Sequence, residues 1–380
     1  MSRHLRIRTE RELPSCLWQW ILLSRRAEFC RRADSSEGKR EKVMESTGEA
    51  YPKDMKKLSD TPTASALRWS LLGRFISSRK PVLEAENDLN KVSRRPGGRF
   101  NVIQCSPVLE EATTANPEEQ TQNRREVVAR YTLPSDPNVV LTLRQRKDSG
   151  IDLSDFINSQ KYDIDSTGLV CMWPAEEIMT YYCISRPELF RNKRVIELGS
   201  GYGLAGLAIA ACSEASEVLL TDGNPHVVEY IQKNITANNE LFGDTKVRTC
   251  TLHWSRHQAA MPGLNFDVVI AADCTFFKDF HLDLAYSIKS LLGTADGCQA
   301  ILFNPRRGHS LDRFVRAAQS VELDVEIQEH YDSRIWNLHE GFVRNEPGSE
   351  WPNYDEDHCY PLLLSITHQQ LRSATRALDD

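Results

Sequence analysis

The chain has 380 residues, 40% of them hydrophobic and 26% charged, with a formal net charge of −6. That is enough for one large domain or two moderate ones of ordinary globular composition. The acidic balance excludes a globally basic nucleic-acid binder, and leaves a local basic patch as the way to meet an acidic protein. The 10 cysteines are scattered and form no C-x-x-C pair. The sequence therefore predicts no metal centre and points to reduced thiols in the cytoplasm or nucleus. No apolar run is long enough to span a bilayer, so no membrane partner is expected.

Residues 1–65 are polar and without sustained periodicity, which predicts a disordered extension. Residues 1–32 are rich in arginine, like an organelle transit peptide, but Glu10, Glu12 and Glu28 interrupt them. Met44 offers an alternative translation start. Residues 66–76 carry Leu67, Leu71, Leu72 and Phe75 at helical spacing. A strand is expected over 100–105, then a polar loop over 110–125. Residues 127–133 and 139–143 read as a hairpin around Pro134-Ser135-Asp136-Pro137-Asn138. Residues 66–165 thus form a small strand-rich unit, the expected substrate side.

From residue 166 to 370 strands and helices alternate. The strands fall at 194–198, 217–221, 247–251, 267–271, 299–304, 324–328 and 362–367, and helices at 175–183, 204–212, 225–238, 280–292 and 311–321. This pattern predicts an α/β, mostly parallel, doubly wound sheet, its last two strands forming a closing antiparallel pair. A tail over 371–380 follows.

The strongest motif is the run from Val195 to Gly206, VIELGSGYGLAG, in which an apolar strand meets a glycine-rich turn and then a helix. Glycines there allow unusual torsions and close approach of a ligand, and the helix start offers free N–H groups. Gly201-x-Gly203-x-x-Gly206 fits a dinucleotide pattern. Glu197-x-Gly199-x-Gly201-x-Gly203 fits a nucleoside with a cationic amino-acid end instead, because a carboxylate inside the strand suits a cation better than a pyrophosphate. Asp222, ending the next strand, is placed to accept ribose hydroxyls in either case. Trp254 after the third strand is placed to line an adenine pocket. Trp173 starts the helix before the first strand, either covering the ligand or stapling that helix to the sheet. The fourth strand ends in Ala271-Ala272-Asp273-Cys274-Thr275-Phe276-Phe277, at the carboxyl edge where such sheets bind ligands. There Asp273 can orient an amine while Phe276 and Phe277 narrow its approach, and Cys274 reads as packing. Arg306 and Arg307, after the fifth strand, are candidates for an acidic protein surface or a solvated loop.

Together these residues resemble the seven-strand methyltransferases, and Asp273-x-x-Phe276 resembles their protein-lysine branch. Residues 168–177 (GLVCMWPAEE), 217–224 (EVLLTDGN), 304–308 (NPRRG) and 360–364 (YPLLL) are similar to the calmodulin-methylating members of that branch, as are 66–69 (ALRW) and 93–95 (SRR). The resemblance covers about residues 66–368 and implies S-adenosylmethionine as methyl donor. It also implies calmodulin as protein substrate, trimethylated on one lysine of its C-terminal lobe, while the reduced thiols are what point to the cytoplasm and nucleus. The donor site would comprise Trp173, Glu197, Gly199, Ser200, Gly201, Gly203, Asp222, Trp254 and Ala272. Asp273 and Phe276 would serve the chemistry. Phe277, Arg306 and Arg307, with Arg94 and Arg95, would meet the substrate. The rival readings are another substrate (a different protein lysine or a small molecule), a non-catalytic scaffold on the cofactor fold, and a nicotinamide enzyme.

Overall fold

The computed structural model describes residues 99–108, 126–146, 167–169, 171–256, 265–349, 351 and 354–369. The predicted extension over 1–65, the helix over 66–76, the loop over 110–125, Arg94 and Arg95, and the tail lie outside the described residues.

Three strands, β1 (Gln104–Val108), β2 (Glu126–Thr132) and β3 (Val140–Arg146), make an antiparallel sheet in that order. The β2–β3 hairpin closes through Leu133 N–H to Val139 O at 3.1 Å and Val139 N–H to Asp136 O at 2.9 Å, around the expected turn residues. The first strand starts later than residue 100 because the segment before it is spent on anchors. Phe100 packs edge-on to Phe342 and Trp351. The N–H groups of Val102 and Ile103 donate to Glu177 Oε1 at 2.8 and 3.3 Å.

Helix α1 (Pro174–Ile184) leads into the second sheet. Its strands are β4 (Arg194–Leu198), β5 (Glu217–Asp222), β6 (Lys246–Thr251), β7 (Val268–Ala272), β8 (Gln299–Pro305), β9 (Leu323–Gln328) and β10 (Pro361–His368), in the order β6-β5-β4-β7-β8-β10-β9. Helices α2 (Leu204–Cys212), α3 (Pro225–Asn238), α4 (His281–Leu291) and α5 (Ser310–Ser320) connect parallel strands. Strands β4, β7 and β8 are buried almost end to end, as a parallel sheet covered on both faces requires. The closing antiparallel pair is present, and β10 goes further, inserting between β8 and β9 antiparallel to both. Two helices absent from the sequence expectation, α6 (Ser333–Arg344) and α7 (Glu356–Cys359), precede β10.

The small sheet is fixed to the large one by two buried asparagines of α3. The Asn238 side chain accepts from Thr142 N–H and donates to Thr142 O, both at 2.8 Å, and Asn234 Oδ1 accepts from Arg144 N–H at 2.7 Å. A carboxamide carries one acceptor and two donors. It can therefore satisfy edge-strand backbone as a neighbouring strand would.

Candidate active site

Strand order reverses at β4, with β5 on one side and β7 on the other. The carboxyl ends there form the crevice in which such sheets take ligands. The glycine turn fills its floor. Gly199, Gly201 and Gly203 have φ of 66°, 54° and 81°, the left-handed region that side chains avoid. At Gly199 a Cβ would lie 2.8 Å from Cys274 Sγ and 3.4 Å from the Trp254 ring. The Trp254 indole therefore lies against this turn, as an adenine-lining ring must. At Gly201 the Asp222 carboxylate approaches directly: Oδ2 accepts from Gly201 N–H at 3.3 Å, while Oδ1 accepts from Asn224 N–H at 2.9 Å. One edge of the crevice is the turn Thr167–Leu169, held by Tyr202 Oη donating to Leu169 O at 2.9 Å. A cradle of glycine backbone, a carboxylate and an indole is thus present, and its chemistry fits S-adenosylmethionine.

Two residues expected at the donor, Glu197 and Ser200, support the glycine turn. Helix α2 has Gly203 as N-cap and no side-chain cap, so its first N–H groups need acceptors from elsewhere. Glu197 supplies one, accepting Gly206 N–H at 3.1 Å, and Glu176 supplies another, accepting Ala205 N–H at 2.9 Å. Glu197 is 1% exposed and its Oε1 is sealed without a partner. It is therefore part of the turn's foundation. Burial, then repulsion from Glu176, pushes Glu197 well above the usual carboxylate range. Burial likewise raises Glu176 to about 7. Two facing buried carboxyls resist a second charge. Ser200 is also buried. Its hydroxyl donates to Glu197 O at 3.3 Å and accepts Thr221 N–H at 3.0 Å, stitching the turn to β5.

On the β7 side, Asp273 has φ 54°, with its N–H donating to Phe303 O at 2.8 Å. Its carboxylate is gripped by Arg307: Nε donates to Oδ1 at 3.0 Å and Nη2 donates to Oδ2. The two side chains are 7% and 9% exposed. The guanidinium also lies 5.1 Å from the Phe276 ring and 5.7 Å from the Trp173 ring. Arg307 therefore points inward, correcting its expected place on a docking surface, because a buried Asp273 demands a partner. Trp173 has two roles, heading α1 and walling this ion pair. Only Arg306 of the two arginines is exposed, 3.6 Å from Glu329.

The loop between β7 and α4 is clamped beyond Asp273. Thr275 N–H donates to Asn304 Oδ1 at 3.1 Å, and Thr275 O meets His281 Nε2 at 2.8 Å and Ser310 Oγ at 2.6 Å. This leaves Phe276 39% exposed, edge-on to the half-buried Phe277 at 4.8 Å between centroids. Ala272 sits where β7 ends, its carbonyl accepting from the Cys274 thiol at 3.4 Å. Burial pushes that thiol well up, so Cys274 packs and is no nucleophile. The sequence reading missed Glu176, the Asn304–His281–Ser310 clamp and the Arg307 pairing. The register pairs Ala272 with Phe303. Arginines shortly beyond Phe303 therefore fall near Asp273, a signal available once the two strands are set side by side.

A doubly wound sheet with this cradle at its switch point defines a nucleoside-binding site, and the relatives it resembles make it that of an S-adenosylmethionine-dependent methyltransferase. Residues 154–320 match the family model for lysine methyltransferases. Over 307 residues the chain is 46% identical to the calmodulin-lysine N-methyltransferase of Arabidopsis thaliana, covering 81% of this chain and 98% of that protein. It is 31% identical over 168 residues to EEF1A lysine methyltransferase 3 of Mus musculus, covering 44% of this chain and 69% of that one. A TehB-like methyltransferase structure from Corynebacterium glutamicum aligns at 18% identity and TM-score 0.34, covering 49% of this chain and 86% of that one. The chain belongs to the lysine methyltransferase family, and its methyl donor is S-adenosylmethionine.

Proposed function

We propose that this enzyme trimethylates one lysine of calmodulin, in the cytoplasm and nucleus. The observation that carries the substrate is the 46% identity over 98% of the length of a calmodulin-lysine N-methyltransferase. Scattered cysteines without metal or redox spacing support the reducing compartments.

In this reading Gly199, Gly201 and Gly203 let the donor approach backbone, Asp222 accepts its ribose hydroxyls, and Trp254 covers its adenine. Ala272 and Trp173 border the reacting end. Glu197 and Ser200 hold the turn in shape from behind. S-adenosylmethionine supplies, when bound, a methyl group on a sulfonium. The chain's own task is then to hold a lysine side chain in line with it, which is chiefly positioning. Asp273 orients the amine at the carboxyl edge. The exposed Phe276 ring, with Phe277 edge-on behind it, gives the lysine's methylene chain an aromatic wall. Arg306 stays on the surface as a docking cation for an acidic partner.

The test uses recombinant unmethylated calmodulin and a set of variants, each with one lysine replaced by arginine, incubated with enzyme and labelled donor. Peptide mapping is expected to find three methyl groups on one lysine, and one arginine variant to take up no label. Unlabelled calmodulin with bound donor would move the search to other lysine proteins. No donor binding would revive the non-catalytic scaffold.

A further inference from the structure

The Arg307–Asp273 pair has a feature that positioning alone does not require. Both partners sit in left-handed backbone, φ 46° and 54°, a strained region for residues with side chains. Arg307 is fixed there by its N–H donating to Asp357 O at 2.8 Å. The chain thus goes to some cost to place a cation between Trp173 and Phe276. Burial works against that cation, yet the facing Asp273 raises the Arg307 pKa above its ordinary value, so its charge is permanent.

A lysine reaching Asp273 meets this cation as well. An ammonium has no lone pair, so the proton must leave before the amine can form its N–C bond as the C–S bond breaks, with the electron pair passing to sulfur. A lone Asp273 would hold the proton on the lysine. Paired with Arg307, it offers a hydrogen-bond acceptor without net charge. We propose that Arg307 is a positioning residue that sets the acceptor site's charge, so that lysine enters as the neutral amine and its proton goes to solvent. This rests on the lysine methyltransferase reading of the site.

Among the described residues, the other groups named around the pair do not supply this cation. Cys171 and Cys359 face Arg307. Around Cys274, next to Asp273, stand Asp222, Glu176 and Glu197. The two glutamates are raised by burial, and Asp222 is engaged with the glycine turn. The cation these groups face at Asp273 is Arg307.

The experiment is the pH profile of kcat on calmodulin at saturating donor for wild type, Arg307→Gln, Arg307→Met and Arg307→Lys, with donor binding measured alongside. Opposite or like charges at about 4–6 Å move a titrating group by about one pH unit or more. The acid limb of the charge-free variants is therefore expected to move up by about one unit, a loss of up to roughly tenfold on that limb that shrinks as pH rises past it. Arg307→Lys keeps the wild-type limb with a lower plateau. Arg307→Met fills the slot between the rings with an apolar chain and serves where the glutamine variant does not fold. Rates lowered by one factor at every pH, with the limb unmoved, would make Arg307 merely structural and overturn the proposal. Failure of the wild type to methylate calmodulin would instead count against the substrate, separating the two.

Discussion

At the residue scale, chemistry-bearing side chains divide into those facing the crevice and those holding it in shape. Asp222, Trp254 and Asp273 stand where strand-end logic placed them, because the carboxyl ends of β5, β6 and β7 are fixed by the sheet. Glu197, Ser200 and Arg307 were legible as important, but not their buried partners. A motif gives spacing, whereas the partner of a buried charge depends on what packs against it. Glu176 was not singled out at all, since it lies on another helix and meets α2 only in three dimensions. It yields a pH prediction. Its pKa is raised by burial from 4.5 to about 7, so the folded state holds the proton more tightly than the unfolded chain. Its contribution to stability is complete below the unfolded value and is lost as pH rises through about 7. Glu176→Gln keeps an acceptor for Ala205 N–H without the charge. Thermal melts are expected to show the variant gaining on the order of 2 kcal/mol over wild type at pH 8 relative to pH 5. An equal difference at both pH values would mean that Glu176 stays charged in the fold.

At the element scale, the glycine turn is the most constrained piece of backbone. Gly199→Ala must adopt φ 66° and place a Cβ 2.8 Å from Cys274 Sγ, with the Trp254 ring next in line. The left-handed strain alone is about 1–2 kcal/mol. Urea unfolding should show at least that loss, and calorimetry a weaker affinity for S-adenosylmethionine as Trp254 is displaced. Wild-type affinity in the variant would place the donor away from the turn. The alternating strands and helices from β4 to α5 were legible because apolar runs and helical periodicity agree along them. Helix α6 was not. Its buried face includes His339 and Gly341 beside Ile335 and Phe342, residue types that do not read as an apolar stripe. His339 is nonetheless at home there, 4.1 Å from the Tyr360 ring and hydrogen-bonded to Tyr354 Oη at 2.7 Å. The start of β1 was displaced for a similar reason. Phe100, Val102 and Ile103 look like strand residues, but they serve as anchors on the aromatic cluster and Glu177.

At the scale of the whole molecule, the sheet order puts donor and acceptor chemistry on opposite sides of β4. The β5 side carries Asp222 and Trp254 lies against the turn, while the β7 and β8 side carries Asp273, Arg307 and Phe276. Alternation of elements made the doubly wound sheet readable. The insertion of β10 and the docking of the small sheet on Asn234 and Asn238 depend on long-range pairing that leaves no local pattern. The division of labour is open to one direct measurement: single-turnover methyl transfer to calmodulin across a range of S-adenosylmethionine concentrations, in Asp222→Ala and Asp273→Ala. Asp222→Ala is expected to need on the order of tenfold more donor yet approach the wild-type rate at saturation, as loss of a hydrogen-bonded binding contact implies. Asp273→Ala is expected to bind donor like wild type and transfer on the order of a hundredfold more slowly at any concentration. Wild-type transfer in Asp273→Ala, or unchanged donor affinity in Asp222→Ala, would contradict that division.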